Sequence, residues 1–247
     1  MATALDTKKI FDDVRSNGYS IIPNYIAKDK LDRVRAEYFQ CLSELNIHPQ
    51  GEKFSPRSLI ERPWRKYALG SKSGSGEPYS QILQTTYFSA FDKNYPELGD
   101  VFSEMVLIRN KLTGMRDDYG CNFDTDDFWN ACRVHHYPQG GGHMAAHRDT
   151  LFPKLLSDFE FPFIQLMITL SARGSDFNHG GGYVVNKTGE TIFFENEHNA
   201  GSLILFDGNT IHGVEDVDPG SLFDVSSPLG RAALFVNLYA NFEKTST

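Results

Sequence analysis

Apolar positions recur at helical spacing in the first half of the chain. One helix is predicted to follow Thr7 as its N-cap and to end at Asn17-Gly18, a second begins at Asp29 or the residue before it, and a third covers 96–112. A short strand over 19–26 separates the first two. The apolar stripes, at three- and four-residue steps, are Ile10, Phe11 and Val14; Leu31, Val34, Tyr38, Leu42 and Leu45; and Leu98, Val101, Met105 and Ile108.

The pattern changes to short apolar runs with glycine punctuation from residue 130 onward. Strands are predicted at 133–137, 161–171, 183–185, 190–195, 202–206 and 232–239. The glycine triplets at 140–142 and 180–182 are interpreted as turns, because neither has the Lys-Ser/Thr pair or the helix start of a phosphate cradle. The Gly- and Ser-rich stretch 66–78 is predicted to be a loop, either a flexible connector or a lid over an active site.

These elements predict an α+β chain whose strands form a double-stranded β-helix, a jelly-roll or cupin-like barrel, with N-terminal supporting helices. A single domain over 1–247 is expected, since barrel domains often reach this length. Its N-terminal part, 1–129, is predicted to be mainly helical, and 130–242 is predicted to be the β-helix core. No repeat of fixed period and no nucleotide-binding motif is present in the sequence.

Charge and cysteine usage narrow the function classes. The formal net charge is -8 and the pI is near 5.5, which argues against nucleic acid as a partner. The three cysteines have no CxxC spacing, so they indicate neither a disulfide framework nor a zinc cluster and suit a reducing compartment. No apolar stretch approaches the ~18 residues of a membrane span, and the N-terminus lacks an apolar signal core. We therefore expect a cytoplasmic protein without a membrane partner; its oligomeric state is open.

Two imidazoles and one carboxylate occur with the order and spacing of a mononuclear metal site. His147 and Asp149 are separated by one residue, so in an extended strand both side chains leave the same face. His212 lies 65 residues later, just after the apolar run 202–206 and a polar turn. Two His and one carboxylate form the ligand set of non-haem Fe(II) oxygenases. The His-x-Asp fragment alone is a weak motif whose commonest meaning is a surface or capping pair.

A charged residue opens an otherwise apolar strand at Arg231. A guanidinium at such a position needs an anionic partner, because a buried unpaired charge costs several kcal/mol or more. A bound dicarboxylate would be that partner. Tyr137 lies ten residues before His147, on the other side of a glycine-rich turn. Arg133 is the best alternative to Arg231 as the anion-binding group, since it lies on the same alternating face as His135 and Tyr137 if 133–137 is a strand.

On these residues the chain from about 18 to 242 resembles the 2-oxoglutarate- and Fe(II)-dependent oxygenase superfamily, in which His-x-Asp, a distal His and an Arg follow in this order. The resemblance implies that His147, Asp149 and His212 bind iron and that Arg231 binds the far carboxylate of 2-oxoglutarate.

The Tyr-Pro pair before a glycine turn is similar to the prolyl-hydroxylase branch of that superfamily. This likeness implies that the Tyr137 hydroxyl contacts 2-oxoglutarate. The interval from His212 to Arg231 is longer than in that branch, and the extra residues 215–229, with two Pro and two Gly, are predicted to be an inserted loop between two strands.

The same resemblance implies the cofactors Fe(II), 2-oxoglutarate as cosubstrate, and O2, with hydroxylation of an unactivated C–H bond. Relatives that halogenate free amino acids are similar in layout but have Gly or Ala where this chain has Asp149. The carboxylate therefore favours hydroxylation over halogenation, while desaturation and ring closure stay open.

A small acidic chain without an appended recognition domain favours a free small molecule, such as an amino acid or another natural-product intermediate, as substrate. Candidate substrate contacts are Arg173, Asp176 and Asn178, which precede the second glycine triplet near the expected mouth of the barrel. Two alternatives stay open. A cupin-type metalloenzyme that does not use 2-oxoglutarate would not require Arg231 or Tyr137, and a non-catalytic jelly-roll binding protein would carry the three metal-type residues incidentally.

Overall fold

Three helices pack along one side of a curled sheet in the computed structural model, which describes residues 5–49, 51–72, 78–149, 163–195 and 200–242. The helices are α1 (Thr7–Asn17), α2 (Lys28–Glu44) and α3 (Pro96–Leu112), with a short 3-10 helix at Pro56–Ile60. No helix among the described residues is both long enough and apolar enough to cross a membrane.

The helix ends follow ordinary capping chemistry. Asp6, rather than the predicted Thr7, caps α1 by accepting a hydrogen bond from the Lys9 backbone N–H at 3.0 Å. Gly18 ends that helix with a φ of 92°, a conformation that glycine adopts without strain. Pro96 occupies the first turn of α3, where its missing N–H leaves no helical bond unmade. The observed bounds of α3 match the predicted ones.

Twelve strands form one sheet within the described residues. Their bounds are β1 (Tyr19–Ile22), β2 (Ile47–His48), β3 (Trp64–Lys72), β4 (Tyr79–Phe88), β5 (Phe128–Pro138), β6 (Gly142–His147), β7 (Ile164–Thr169), β8 (Gly181–Val185), β9 (Thr191–Phe193), β10 (Leu203–Asp207), β11 (His212–Val217) and β12 (Gly230–Ala240). The spatial order is β1-β10-β7-β12-β5-β4-β6-β11-β8-β9, with β3 paired to β4 and β2 paired to β3. All these pairings are antiparallel except β2 with β3.

The prediction of a loop at 66–78 is wrong for most of that stretch. Residues 64–72 form β3 and pair with β4 in continuous register from Trp64 opposite Tyr87 to Lys72 opposite Tyr79. Its serines and glycine suggested low complexity, but cross-strand pairing supplies the order that local propensity lacks. Residues 73–77 lie outside the described residues, and so does the predicted alternative that this stretch is a lid over the active site. The N-terminal part, 1–129, thus adds strands to the same sheet besides its helices.

The inserted loop is shorter than predicted. Residues 212–217 form β11, so residues 215–217 belong to a strand and only 218–229 connect it to β12. Charged residues at 215 and 216 hid this strand, because they are exposed and interrupt the apolar alternation.

Strand alternation divides the sheet into two different faces. On β12, Ala232, Leu234 and Val236 belong to the apolar core that also contains buried residues of all three helices. Of the intervening residues of β12, Arg231, Phe235, Asn237 and Tyr239 line a central cavity together with alternate residues of β5. The register places Arg231 opposite Tyr137. One face is therefore an apolar support and the other carries polar chemistry.

His136 is buried on the helix side of β5, and its Nδ1 has no hydrogen-bond partner among the described residues. Burial lowers the pKa of His136 to about 4. Between that pH and ~6.5, the ordinary histidine pKa, the unfolded chain binds a proton that the folded chain does not. Neutral His136 therefore contributes stability that is present above about pH 6.5 and is lost as the pH falls toward the folded pKa.

We expect the wild type to lose up to about 3 kcal/mol of unfolding free energy over this pH range relative to the variant His136→Gln. Urea unfolding at a series of pH values measures this difference. The exposed His179→Gln serves as the control and should follow the wild-type curve. Parallel curves for wild type and His136→Gln would contradict the assigned burial effect.

Candidate metal centre

Strand pairing brings the two histidines of the predicted triad together. His147 is the last residue of β6 and His212 the first of β11, and the two are partners in the antiparallel register. Their ring centroids are 4.3 Å apart. A pair that is 65 residues apart in the sequence is thus placed side by side by one backbone ladder.

Asp149 joins them from beyond the end of the strand. The sequence predicted a strand through His147 and Asp149, but β6 ends at His147. The Asp149 backbone N–H instead donates to Gly208 O at 2.9 Å, which fixes the chain against the turn that precedes β11. The Asp149 oxygens lie 4.0 Å from His147 Nε2 and 3.6 Å from His212 Nε2. One ligand atom from each of the three residues lies within 4.8 Å of the others, a spacing that lets them share a metal ion.

Both imidazoles are oriented with Nε2 toward this common point. His147 Nδ1 lies 2.8 Å from Ala145 O, and His212 Nδ1 lies 2.9 Å from Thr210 O. A carbonyl only accepts hydrogen bonds, so each Nδ1 carries the proton and each Nε2 keeps its lone pair. The Tyr79 ring stacks on His147 at 4.0 Å and restricts its rotation.

A polar relay that sequence reasoning missed supports the carboxylate. Gln165 donates from Nε2 to Asp149 Oδ2, and Asn237 donates to Gln165 Oε1 at 2.9 Å. Both residues are buried. The available signal was a lone amide inside an apolar run, at Gln165 in β7 and at Asn237 in β12. Such a position has to be hydrogen-bonded, and here the amides orient a metal-type ligand.

The triad borders a cavity of about 880 Å³ inside the curled sheet. Aromatic rings make up much of its wall, among them Tyr79, Trp129, Tyr137, Phe206, Phe235 and Tyr239. A concave, largely apolar site with a few convergent polar groups is typical of small-molecule binding.

Arg231 reaches this cavity from β12 and already has a protein partner. Its Nε lies 2.6 Å from Glu195 Oε1, and both side chains are almost fully buried. The sequence predicted that a bound ligand supplies the anion for this guanidinium, whereas Glu195 supplies one within the chain. Arg231 Nη1 nevertheless has no hydrogen-bond partner among the described residues.

Gly182 makes room for that guanidinium. A Cβ at this position would overlap Arg231 Nη2, so the last glycine of the 180–182 triplet is required by close approach. Its backbone N–H also donates to Glu195 Oε2 at 2.9 Å. The triplet, predicted only as a turn, therefore also shapes the Arg231–Glu195 pair.

The arginine lies deeper in the cavity than the triad. Gln165 contacts Asp149, and Met167, the next residue on the same face of β7, has its Sδ 3.4 Å from Arg231 Nη2. Two residues of a strand span about 7 Å. The Arg231 guanidinium therefore lies roughly that far along the cavity wall from the Gln165–Asp149 contact.

Tyr137 lies beside Arg231, as the register predicts. The Arg231 guanidinium carbon is 5.4 Å from the centre of the tyrosine ring, and the hydroxyl lies 3.4 Å from His135 Nδ1. Burial raises the pKa of the Tyr137 hydroxyl above its ordinary value, so this group stays protonated at neutral pH.

Arg133 also lines the cavity, on the same face as His135 and Tyr137, so the predicted alternation is correct. It lies four residues before Tyr137 on β5, and its guanidinium stacks on other rings than that of Tyr137.

The structure does not bring Arg173, Asp176 and Asn178 to this cavity. Asp176 forms an ion pair with Arg35 of α2, with one contact of 3.0 Å, and accepts from the Ala172 backbone N–H. Arg173 Nε donates to Asn178 O at 2.9 Å. The three residues stabilise their own loop, which explains why they are polar without facing the cavity.

Solved structures share this architecture. A Pseudomonas putida prolyl-4-hydroxylase is similar with a TM-score of 0.59 and 15% identity over 96% of this chain and 100% of that chain. A Trichoplax adhaerens prolyl hydroxylase in complex with a peptide fragment of the hypoxia-inducible factor oxygen degradation domain gives 0.58 and 12% over 98% and 92%. SnoN, a non-heme alpha-ketoglutarate-dependent epimerase from nogalamycin biosynthesis, gives 0.52 and 10% over 95% and 82%.

These likenesses confirm the predicted jelly-roll fold with supporting helices. At such identities they establish the fold alone. No family model matches the chain, and no curated protein matches its sequence.

The variant Glu195→Gln would leave the Arg231 cation buried beside a neutral amide. Breaking a buried pair from one side costs about 3–5 kcal/mol, and we expect a loss of that size in the unfolding free energy of the metal-free protein. The double variant Glu195→Gln/Arg231→Met should recover most of it, because no unpaired charge remains.

Urea unfolding of these variants measures both effects. Asp118→Asn, which breaks an exposed ion pair with Arg116, is the matched control and should change the free energy by less than about 1 kcal/mol. A Glu195→Gln variant as stable as that control would show that the buried pair is not formed as described.

Proposed function

We propose that the protein is an Fe(II)- and 2-oxoglutarate-dependent oxygenase that hydroxylates an unactivated C–H bond of a small molecule. The observation that carries the proposal is one geometric combination. A His-Asp-His triad borders a cavity, and a buried guanidinium with an unpaired Nη1 lies about 7 Å farther along the same wall, two strand residues from the contact that holds Asp149.

The donor set fits ferrous iron. Two imidazole Nε2 atoms and one carboxylate form the facial arrangement that non-haem Fe(II) oxygenases use, with positions left for other ligands. The carbonyl partners of each Nδ1 and the Gln165 amide on Asp149 hold the three donors in place without a metal. His147, Asp149 and His212 would hold the ion.

The deeper wall fits the far end of a keto acid. A five-carbon dicarboxylate is long enough to reach from the triad to Arg231, whose Nη1 could donate to its far carboxylate. The protonated Tyr137 hydroxyl beside it could add a second hydrogen bond. When bound, iron and 2-oxoglutarate with O2 supply oxidation of a C–H bond to an alcohol, with succinate and carbon dioxide as the other products.

The residues of the chain would orient the metal ligands and exclude water from the reacting region. Asp149 occupies the carboxylate position that halogenating relatives lack, and its hydrogen bond from Gln165 keeps it there, which favours hydroxylation. The aromatic wall keeps water from the reacting region and leaves space for a substrate body. The cavity volume of about 880 Å³ falls in the range of small-molecule sites, which supports a small molecule rather than a folded protein as substrate.

One observation favours a second candidate. Because Glu195 already pairs with Arg231, the guanidinium has a structural role that requires no ligand. A cupin-type metalloenzyme that uses the same triad without a keto acid is consistent with that pair. The two candidates differ in whether Arg231 changes the affinity for 2-oxoglutarate.

Anaerobic titration with Fe(II) and then 2-oxoglutarate separates them. We expect one iron per chain and the weak visible charge-transfer band of an iron-chelated keto acid. Asp149→Ala should lose or alter the band. The double variant Glu195→Gln/Arg231→Met, which leaves no unpaired buried charge, should require about 100-fold more keto acid, because truncating one partner of a buried charge pair with the ligand costs 2–5 kcal/mol or more.

Arg62→Met is the matched control, since Arg62 is exposed and lies outside the cavity lining; it should titrate like the wild type. Stoichiometric iron without a band would support the cupin-type metalloenzyme. No iron binding would leave the non-catalytic jelly roll. A band whose keto-acid dependence is the same in Glu195→Gln/Arg231→Met and in Arg62→Met would refute the assigned anchor.

A further inference from the structure

We propose that Arg133 binds a carboxylate of the substrate, so that the enzyme acts on an anionic small molecule. The inference rests on the proposed function, because it assigns the keto acid to Arg231 and leaves Arg133 for the second reactant.

Arg133 is a buried cation without a carboxylate partner among the described residues. The residue is 5% exposed. Its Nε donates to His135 Nε2 at 2.9 Å, and its Nη1 donates to Ala131 O at 3.1 Å. These two bonds use Nε and Nη1, and the side chain lines the cavity. A buried charge in this position is costly unless an anion reaches it.

The contacts around Arg133 fix the direction of its guanidinium. It lies 5.4 Å from the ring centre of Phe235 and 5.3 Å from that of Tyr239. Because His135 Nε2 accepts from Arg133, the proton of that imidazole belongs on Nδ1, which faces the Tyr137 hydroxyl. Arg133 is therefore held rigidly, as a binding group needs to be.

The guanidinium of Arg133 lies in a different part of the cavity from that of Arg231. Its side chain turns back toward Ala131, which is opposite Asn237 in the β5–β12 register. Asn237 is bonded to Gln165, the residue that holds Asp149. The Arg133 guanidinium thus lies near the level of the metal-type ligands, whereas Arg231 lies deeper, so a carboxylate on Arg133 belongs to a molecule beside the metal.

The charge of the cavity points to the same substrate class. Among the described lining residues the cations are Lys53, Lys66, Arg133 and Arg231, while the only carboxylate is Asp149. Glu195 neutralises Arg231, and a bound metal would neutralise Asp149. A chain with a formal net charge of -8 therefore keeps a basic cavity, an arrangement that favours an anionic ligand.

The test uses the anaerobic protein loaded with Fe(II) and 2-oxoglutarate. The probes are free amino acids and small aliphatic and aromatic carboxylic acids, each paired with its primary carboxamide. Binding is read from the shift of the charge-transfer band and of Tm. We expect acids to bind at least about 30-fold more tightly than their amides in the wild type, and the difference to fall below about threefold in Arg133→Met.

Two further readouts separate substrate binding from other roles of Arg133. The concentration of 2-oxoglutarate that half-saturates the band should change by less than about threefold in Arg133→Met, because the keto acid is assigned to Arg231. The probe-free Tm of Arg133→Met should equal or exceed that of the wild type, since an unpaired buried cation is removed. Arg62→Met is again the control for loss of an arginine elsewhere.

Some outcomes would refute the proposed function, and others would overturn only the assigned role of Arg133. A wild-type protein without the band refutes the proposed function itself. A normal band with weakened 2-oxoglutarate binding in Arg133→Met makes Arg133 the keto-acid anchor and overturns the inference alone. The inference is also overturned if amides bind as tightly as acids, if no acid of the panel binds, or if Arg133→Met lowers Tm and leaves acid binding intact.

Discussion

The pairing of β6 with β11 is the contact on which the rest of the site depends. It places His147 opposite His212, and the turn before β11 accepts the Asp149 backbone N–H. A shift of one residue in this register would turn one imidazole to the other face of the sheet. The other polar groups of the cavity lie at defined distances from this triad, and the Arg231 guanidinium is about 7 Å farther along the wall.

The second constraint is the two-residue period of the strands. The same β5 and β12 segments carry mainly apolar residues, with His136 as an exception, toward the helices, and they carry arginine, histidine, tyrosine and asparagine toward the cavity. Burying these polar groups is costly, and the structure offsets that cost through Glu195 on Arg231, His135 on Arg133 and Asn237 on Gln165. Arg231 Nη1 has no hydrogen-bond partner among the described residues, and under the proposed function it is the group that would bind the far carboxylate of the keto acid.

Much of the fold could be predicted from local patterns in the sequence. The capped and periodic helix α3 was predicted with its observed bounds, and the apolar runs after residue 130 gave the strands of the barrel. Strands β3 and β4 were missed, because their order comes from pairing with each other rather than from alternation or propensity. Strand β11 was missed because two exposed charges interrupt it.

The candidate site was predictable where residue type and order define chemistry. The three metal-type residues converge as their spacing suggested, although Asp149 lies beyond its strand. The partnership of Arg231 with Glu195 was hidden, since two residues 36 positions apart show no common pattern in one sequence. For the same reason the expected burial of Arg231 did not show that Glu195 is its anionic partner. The amides Gln165 and Asn237 were not predicted as site residues, because each is a single polar residue inside an apolar strand.

We propose that one cavity holds a metal at the triad and divides two anions between two arginines. A crystal structure of the anaerobic Fe(II) and 2-oxoglutarate complex, with anomalous diffraction at the iron edge, tests it most directly. We expect one iron on His147, Asp149 and His212, with the far carboxylate of the keto acid within hydrogen-bond distance of Arg231 Nη1 and away from Arg133 Nη2. Iron away from the triad, or the keto acid carboxylate on Arg133, would contradict it.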